Sequence, residues 1–220
     1  MKNYKALFIL IALSSCSSID QNNIAPGYFQ AYNAVKTAIV GYENTNITRE
    51  VVNNIPYASS LIRIGKGPYG LMILDRKVNS FETWVTADQV YLVIQNGRIV
   101  KTAGLENNLT EVLLPLGYSF KEIFLNKGKQ ELKFYYSYRN PDLYGLPLTA
   151  TYKVFGREEI VILGKKQELI RIEERIQNQE IGWDISNTYW LDNNFDVWKS
   201  YQSISPKLPK FQIEVTKKPS

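Results

Sequence analysis

The feature that most constrains this chain is a period of two. From Ala58 onward, apolar and polar residues alternate in short runs, and turn-forming residues separate the runs. Successive side chains of a strand point to opposite faces, so alternation gives a ribbon with one buried face. Leu132, Phe134, Tyr136 and Tyr138 share a face of one run, and Leu148, Ala150, Tyr152 and Val154 share a face of the next. In the run after that, Ile170, Ile172 and Ile176 oppose Arg171, Glu173 and Arg175. The strongest local signal joins residues 91–95 to residues 98–102 through Asn96-Gly97. Both positions of such a tight hairpin turn need positive φ, which Asn and Gly supply.

The same reading predicts strands over 58–64 and 69–74, joined by the turn Gly65-Lys66-Gly67-Pro68, and over 81–85. Trp183, Ile185, Tyr189 and Leu191 lead into the turn Asp192-Asn193-Asn194, and Phe195, Val197, Lys199 and Tyr201 follow it. A last strand spans 211–216, after Pro206 and Pro209. Helical signals are few. Residues 26–42 carry Phe29, Tyr32, Val35, Ala38 and Ile39 at three- and four-residue spacing, with Pro26 suited to a first turn. Thr48 suits the cap of a short helix over 49–54 that Pro56 ends. Residues 107–114 read as a short helix or an irregular segment. The expected class is mainly β: a large curved antiparallel sheet of about 10–12 strands, an open barrel or sandwich-like, with an N-terminal helix and one or two short helices. Too few helices are present for a βαβ arrangement.

Two absences narrow the chemistry. The chain has no histidine, and its single cysteine is Cys16. Ser-His-Asp and Cys-His catalysis are excluded, as are thiolate clusters and histidine-ligated metals. No disulfide can form within the domain, so packing must hold it. A hydrophobic content of 45% is enough for a real core. The formal charge of +5 includes Lys2 and Lys5, and the remaining basic residues are dispersed. That pattern is a solvated β surface and not a nucleic-acid stripe.

The start of the chain gives an address. Lys2 and Lys5 precede an unbroken apolar run over 6–13, and Leu13-Ser14-Ser15-Cys16 follows. The run is too short to span a bilayer, which takes about 20 residues, and it fits a secretory signal peptide. The Leu-Ser-Ser-Cys ending resembles a bacterial lipobox. This resemblance implies cleavage before Cys16, with covalent diacylglycerol on its thiol and an N-acyl chain (palmitate) on its amino group. Ser17 stands where an Asp would signal inner-membrane retention, which implies the outer membrane of a Gram-negative cell. The expected organisation is a signal peptide over 1–15, a lipidated tether over 16–25 and one β-rich domain over 26–220.

With fifteen Tyr and four Trp, the chain is rich in side chains that pack one face and offer a polar tip. Trp84, Trp183, Trp190 and Trp198 are the glycan-stacking candidates, and the 191–197 turn is expected to bring Trp190 near Trp198. Arg98 and Lys101, beside the Asn-Gly turn, suit acidic sugars or lipid phosphates, or simply keep an edge soluble. Trp84, Arg98, Lys101, Trp190 and Trp198 are thus the candidate glycan or partner contacts. Asp75, Glu82, Asp88, Asp142, Asp184, Asp192 and Asp196 fall near turns or strand ends, which Asp favours for turn formation alone. Gly65-Lys66-Gly67-Pro68 lacks Walker spacing and reads as a turn. The sequons at Asn46 and Asn108 are chance matches beside a bacterial lipobox.

The central block carries a family resemblance. Ile55-Pro56-Tyr57-Ala58-Ser59-Ser60, Arg63-Ile64-Gly65-Lys66-Gly67-Pro68, Trp84, Asp88 and residues 96–105 resemble the GfcB/YjbF lipoproteins of group 4 capsule polysaccharide systems. Tyr189-Trp190-Leu191-Asp192, Val197-Trp198-Lys199-Ser200, Gln202, Pro206 and Pro209 fit as well. The resemblance covers most of the chain after Cys16. It implies an outer-membrane-directed lipoprotein, encoded with exopolysaccharide or capsule export components, with a large antiparallel sheet and no established enzymatic activity. The expected role is non-catalytic assistance to capsule or exopolysaccharide assembly or export, facing the periplasm. No catalytic residue, metal or cofactor is expected beyond the lipid on Cys16. The expected partners are the outer membrane, polysaccharide and other export proteins, with no nucleic acid. Two alternatives remain: a carboxylate glycan hydrolase or lyase, needing two acids converging in an aromatic cleft, and a lipid or lipoprotein carrier, needing an unfilled apolar cavity.

Overall fold

The computed structural model describes residues 47–219. They form β1 (Ser59–Ile64), β2 (Gly70–Val78), β3 (Phe81–Thr86), β4 (Tyr91–Gln95), β5 (Arg98–Ala103) and β6 (Asn108–Leu113). β7 (Glu131–Arg139), β8 (Leu143–Ile162), β9 (Lys165–Asn178), β10 (Trp183–Leu191), β11 (Val197–Gln202) and β12 (Phe211–Lys217) follow. Two short helices accompany them among the described residues, α1 (Arg49–Asn54) and α2 (Phe120–Leu125). The expected helix over 26–42, the signal peptide, the tether and Cys16 lie outside the described residues.

All twelve strands belong to one antiparallel sheet, in the order β5-β4-β3-β2-β1-β12-β11-β10-β9-β8-β7-β6. Apart from β5 and β6, each strand pairs with its neighbours in sequence, and β12 returns to pair with β1. The result is a nearly closed barrel whose two free edges are β5 and β6. Of the two forms expected from alternation, the barrel is the one found.

The free edges meet through side chains. Thr102 Oγ1 on β5 accepts from the Leu109 N–H on β6 at 2.9 Å. Asn108 accepts from the Leu105 N–H at 3.0 Å and donates to the Leu105 carbonyl at 2.8 Å, fixing the crossing between the strands. From β11, the Gln202 amide reaches the edge of β5, accepting from the Ile99 N–H and donating to the Gly97 carbonyl, both at 2.9 Å. A buried backbone group without a partner is costly, and these side chains replace the missing ladder.

Inside the barrel, one cluster includes Met72, Leu92, Ile99, Phe134, Ile172, Leu191 and Phe211. α2 joins it through Phe120 and Ile123, so the β6–β7 connection helps fill the interior. A second cluster lies around Leu61, Leu71 and Ile73, where Val52 and Ile55 pack from α1 and its C-cap. Arg49 pins α1 by donating to the carbonyls of Thr216 at 2.9 Å and Ile162 at 2.6 Å.

Local signals explain most elements. Asn96 and Gly97 take φ of 48° and 81°, the pair of positive values a two-residue hairpin turn demands. Thr48 caps α1 by accepting from the Val51 N–H. Residues 107–114 are not helical: β6 occupies them and pairs with β7. α2 lies in a stretch with no expected element, and Ser119 caps it by accepting from the Glu122 N–H at 3.2 Å. Ser-x-x-Glu is the spacing of a capping box. β8 and β9 are also longer than their alternating cores suggest.

Candidate functional site

Two arrangements carry chemistry. The first is closed inside the barrel. Arg98 opens β5 and is 1% exposed, and Glu174 sits on the inner face of β9 at 0%. The two form an ion pair. Arg98 also donates to Tyr118 Oη at 3.1 Å from Nε and to Tyr136 Oη at 3.0 Å from Nη1. Glu174 accepts from Tyr152 Oη at 2.8 Å, Asn187 Nδ2 at 3.0 Å and Tyr189 Oη at 3.3 Å. The centre of the Phe134 ring lies 4.7 Å from the guanidinium carbon. Burial disfavours charge, but the Glu174 carboxylate and the tyrosine oxygens hold Arg98 well above its ordinary value. Burial pushes Tyr118, Tyr136 and Tyr189 up, so all three stay protonated: Tyr118 and Tyr136 accept from Arg98, and Tyr189 donates to Glu174.

The second arrangement is a cleft of about 370 Å³ at one mouth of the barrel. Turns from distant parts of the chain build it: Asn79 and Ser80 between β2 and β3, Asn96 and Gly97 between β4 and β5, and residues 194–196 between β10 and β11. The start of α2 and the segment after β12 complete the rim with Lys121 and Lys218. Its apolar lining includes Trp84, Phe120, Phe195 and Ile213, and Ser60 of β1 lies among them. Phe195 holds φ 64°, a conformation seldom taken by aromatic residues, and its ring lies 5.3 Å from that of Phe124.

The cleft carboxylates are each taken by a lysine: Glu82 by Lys77 at 3.1 Å and Asp196 by Lys218 at 2.8 Å. Lys218 also holds Asp192 at 2.6 Å. Partial burial pushes the Asp192 carboxyl up, but hydrogen bonds from Lys218, Trp198 and the Asp196 backbone outweigh it and leave it below the usual range. Among the described residues, no three metal-ligating side chains gather.

The candidate contacts separate. Trp84 reaches the cleft but is 2% exposed, and its indole N–H donates to Glu82 at 3.3 Å. Arg98 is not a surface contact: β5 turns it inward, where a carboxylate and tyrosines meet it. Lys101 stays exposed on β5. Trp190 is 7% exposed, donates to Glu158 and meets Tyr201 edge-on at 5.2 Å. Trp198 donates to Asp192 at 2.9 Å beneath Lys218, 4.6 Å from its ring. The two tryptophans therefore serve different neighbours. The irregularity in the β10–β11 register, where Trp190 pairs with Lys199 and Leu191 with Val197, keeps Trp198 out of a simple cross-strand pair.

Sequence reasoning missed Ser60, Phe120, Phe195 and Lys121 at the cleft, and Glu174 inside. Only Glu174 left a signal. It stands between Ile172 and Ile176 on the apolar face of its strand, where a charge demands a partner.

The fold defines a class of nearly closed, antiparallel twelve-stranded β-barrels. The family model for the group 4 capsule polysaccharide lipoproteins GfcB and YjbF matches residues 32–216, and the chain belongs to that family. It is 23% identical to the uncharacterized lipoprotein YjbF of Escherichia coli K12 over 203 residues, covering 92% of this chain and 91% of that protein. The uncharacterized lipoprotein GfcB of the same strain is also 23% identical, over 158 residues, covering 69% of this chain and 72% of that one. The crystal structure of the hypothetical lipoprotein YmcC from E. coli K12 aligns with a TM-score of 0.69 at 19% identity, covering 86% of this chain and 96% of YmcC. That structure shares the fold. No described helix is long and apolar enough to cross a membrane.

Proposed function

We propose that this chain is a non-catalytic docking module, lipid-anchored at the outer membrane, that assists assembly or export of a capsule or exopolysaccharide. The observation that carries the reading is membership of a capsule polysaccharide lipoprotein family over residues 32–216. Acylation of Cys16 supplies the position, and the barrel supplies a rigid surface facing the periplasm. The filled interior favours docking over carriage. Phe134, Tyr136, Tyr189 and Phe120, all fully buried, take the space an acyl chain would need. The lysine-paired acids at the mouth favour binding over hydrolysis. Glycosidases place two carboxyl groups across the scissile bond, and here Glu82 and Asp196 are each engaged by an ammonium.

The test is a chromosomal deletion complemented by wild type and by Cys16→Ala, with surface and secreted polysaccharide quantified. The expected result is less polysaccharide on deletion and recovery only with the acylated form. Unchanged polysaccharide on deletion would overturn the reading.

A further inference from the structure

We propose that the cleft at the barrel mouth is a sugar subsite that takes one or two neutral residues of a polysaccharide chain. This inference rests on the docking role above and gives it a place on the molecule.

The first observation is a buried hydroxyl with nothing to bond. Ser60 is 1% exposed, lines the cleft, and its Oγ has no hydrogen-bond partner. Its neighbour Ser59, equally buried, bonds Thr216 Oγ1 at 2.9 Å. Buried hydroxyls are nearly always paired, so an orphan in the wall of a cavity marks a place for a ligand's polar group. Of the unpartnered buried side-chain atoms among the described residues, only that of Ser60 belongs to the cleft lining.

The second observation is the mixture around that hydroxyl. At about 370 Å³ the cleft falls in the range of small-molecule sites, roughly 300–1,000 Å³. Trp84, Phe120 and Phe195 provide apolar surface, and Ser80, Asn96 and Asn194 provide groups that both donate and accept. A sugar ring asks for this combination: its C–H faces pack on apolar side chains while its hydroxyls donate and accept at the edges. An acyl chain would leave Ser60 and the amides unpaired, at a cost.

Charge separates neutral from acidic sugars. Lys77 and Lys218 are engaged by Glu82 and Asp196, and Lys199 by Glu214 at 2.8 Å. Lys121 alone among the lining lysines has no ion-pair partner among the described residues. One free ammonium does not make a polyanion track, so neutral hexose or N-acetylhexosamine residues fit better than runs of uronate.

The full chain, lipidated and purified in detergent, would be titrated with defined tetrasaccharides of hexose, N-acetylhexosamine and hexuronic acid. Binding would be read by calorimetry and tryptophan fluorescence. A hexose or N-acetylhexosamine tetrasaccharide is expected to bind. Ser60→Val and Asn194→Ala should each weaken it about tenfold, a change of about 1.4 kcal/mol, while Lys165→Ala, exposed and away from the cleft, leaves it unchanged. Ser60→Val suits a strand and removes the orphan hydroxyl, and Asn194→Ala tests the opposite wall on an exposed turn. In the titration, three outcomes overturn the inference: no tetrasaccharide binds, binding ignores both cleft variants, or only the hexuronate binds and Lys121→Ala abolishes it. In cells, full recovery of polysaccharide by the Ser60→Val, Asn194→Ala double variant would sink the cleft and leave the docking role standing. Loss of an export partner from that variant without any sugar binding would make the cleft a protein contact, and that too overturns the subsite. A deletion without effect would sink the docking role itself, whatever the titration shows.

Discussion

Arg98 and Glu174 meet inside the barrel with every guanidinium nitrogen and both carboxylate oxygens engaged. The pair joins β5, a free edge, to β9 in the other run of strands, so it clamps the barrel across its seam. Desolvating two charges is costly, and a buried pair often contributes little net stability over an apolar replacement. Removing one partner is different, because the other charge is left buried and alone. Glu174→Gln and Arg98→Met are each expected to cost about 3–5 kcal/mol in urea unfolding. The double variant Arg98→Met, Glu174→Leu should recover a large part of that loss, although tyrosine hydroxyls then lack partners. Single variants with wild-type midpoints would show that the pair does not clamp the barrel.

The seam predicts a second weakness, at Gln202. Its amide is the partner of both the Ile99 N–H and the Gly97 carbonyl on the free side of β5. Gln202→Leu keeps the approximate volume and leaves both groups unpaired. A loss of about 1–3 kcal/mol is expected for a buried group deprived of its partner. Amide hydrogen exchange should accelerate at Ile99 before it does at Ile94, which β5 pairs from the other side. An unpaired edge also invites strands from other molecules, so light scattering should rise with concentration. Uniform exchange across β4 and β5 would remove the seam as the weak point.

Alkaline stability follows from the buried tyrosines. Burial raises Tyr118, Tyr136, Tyr138, Tyr152 and Tyr189 above the ordinary value. A group whose folded value is raised keeps its proton longer in the folded state. Its contribution is fully present below the unfolded value, near 10, and is lost as pH climbs from there toward the folded value. Stability should therefore hold up to about pH 10 and then fall by about 1.4 kcal/mol per pH unit for each such tyrosine. Tyrosinate absorbance should show these five ionising only as the barrel unfolds. Smooth titration of these five with the fold intact would contradict the buried network.

The parts of this fold that were legible are those where one strand face is buried without interruption. Phe134, Tyr136 and Tyr138 alternate because each points into the barrel. β6 was not legible for a geometric reason. Its register shifts between Leu109 and Glu111, so the inward residues Leu109 and Val112 stand three apart and imitate a helix. Arg98 misled for a related reason: a charge next to an Asn-Gly turn reads as surface, and its partner lies 76 residues away on another strand. The cleft was hidden more deeply. Its walls come from turns, a helix start and a strand that only barrel closure brings together, and no local pattern records that meeting. Trp84 alone among the tryptophan candidates reached it.

Gly97 offers a test of how tightly the mouth is built. It takes φ 81° in the β4–β5 turn, and a Cβ there would stand 2.2 Å from Val197 Cγ2 on β11. Gly164, in the β8–β9 turn, has a similar φ of 76°, and a Cβ there would meet nothing within 4 Å. The two positions separate backbone strain from crowding. Gly164→Ala should lose about 1–2 kcal/mol, the cost of left-handed backbone for an L-residue. Gly97→Ala bears the same cost and must also displace Val197, which lines the cleft beside it, so its thermal midpoint should fall further. It should also disturb the cleft, seen as a change in Trp84 fluorescence that Gly164→Ala does not produce. Equal losses in the two variants, with no spectral change, would mean that the β4–β5 turn and β11 are not in close contact and that the mouth is looser than this packing requires.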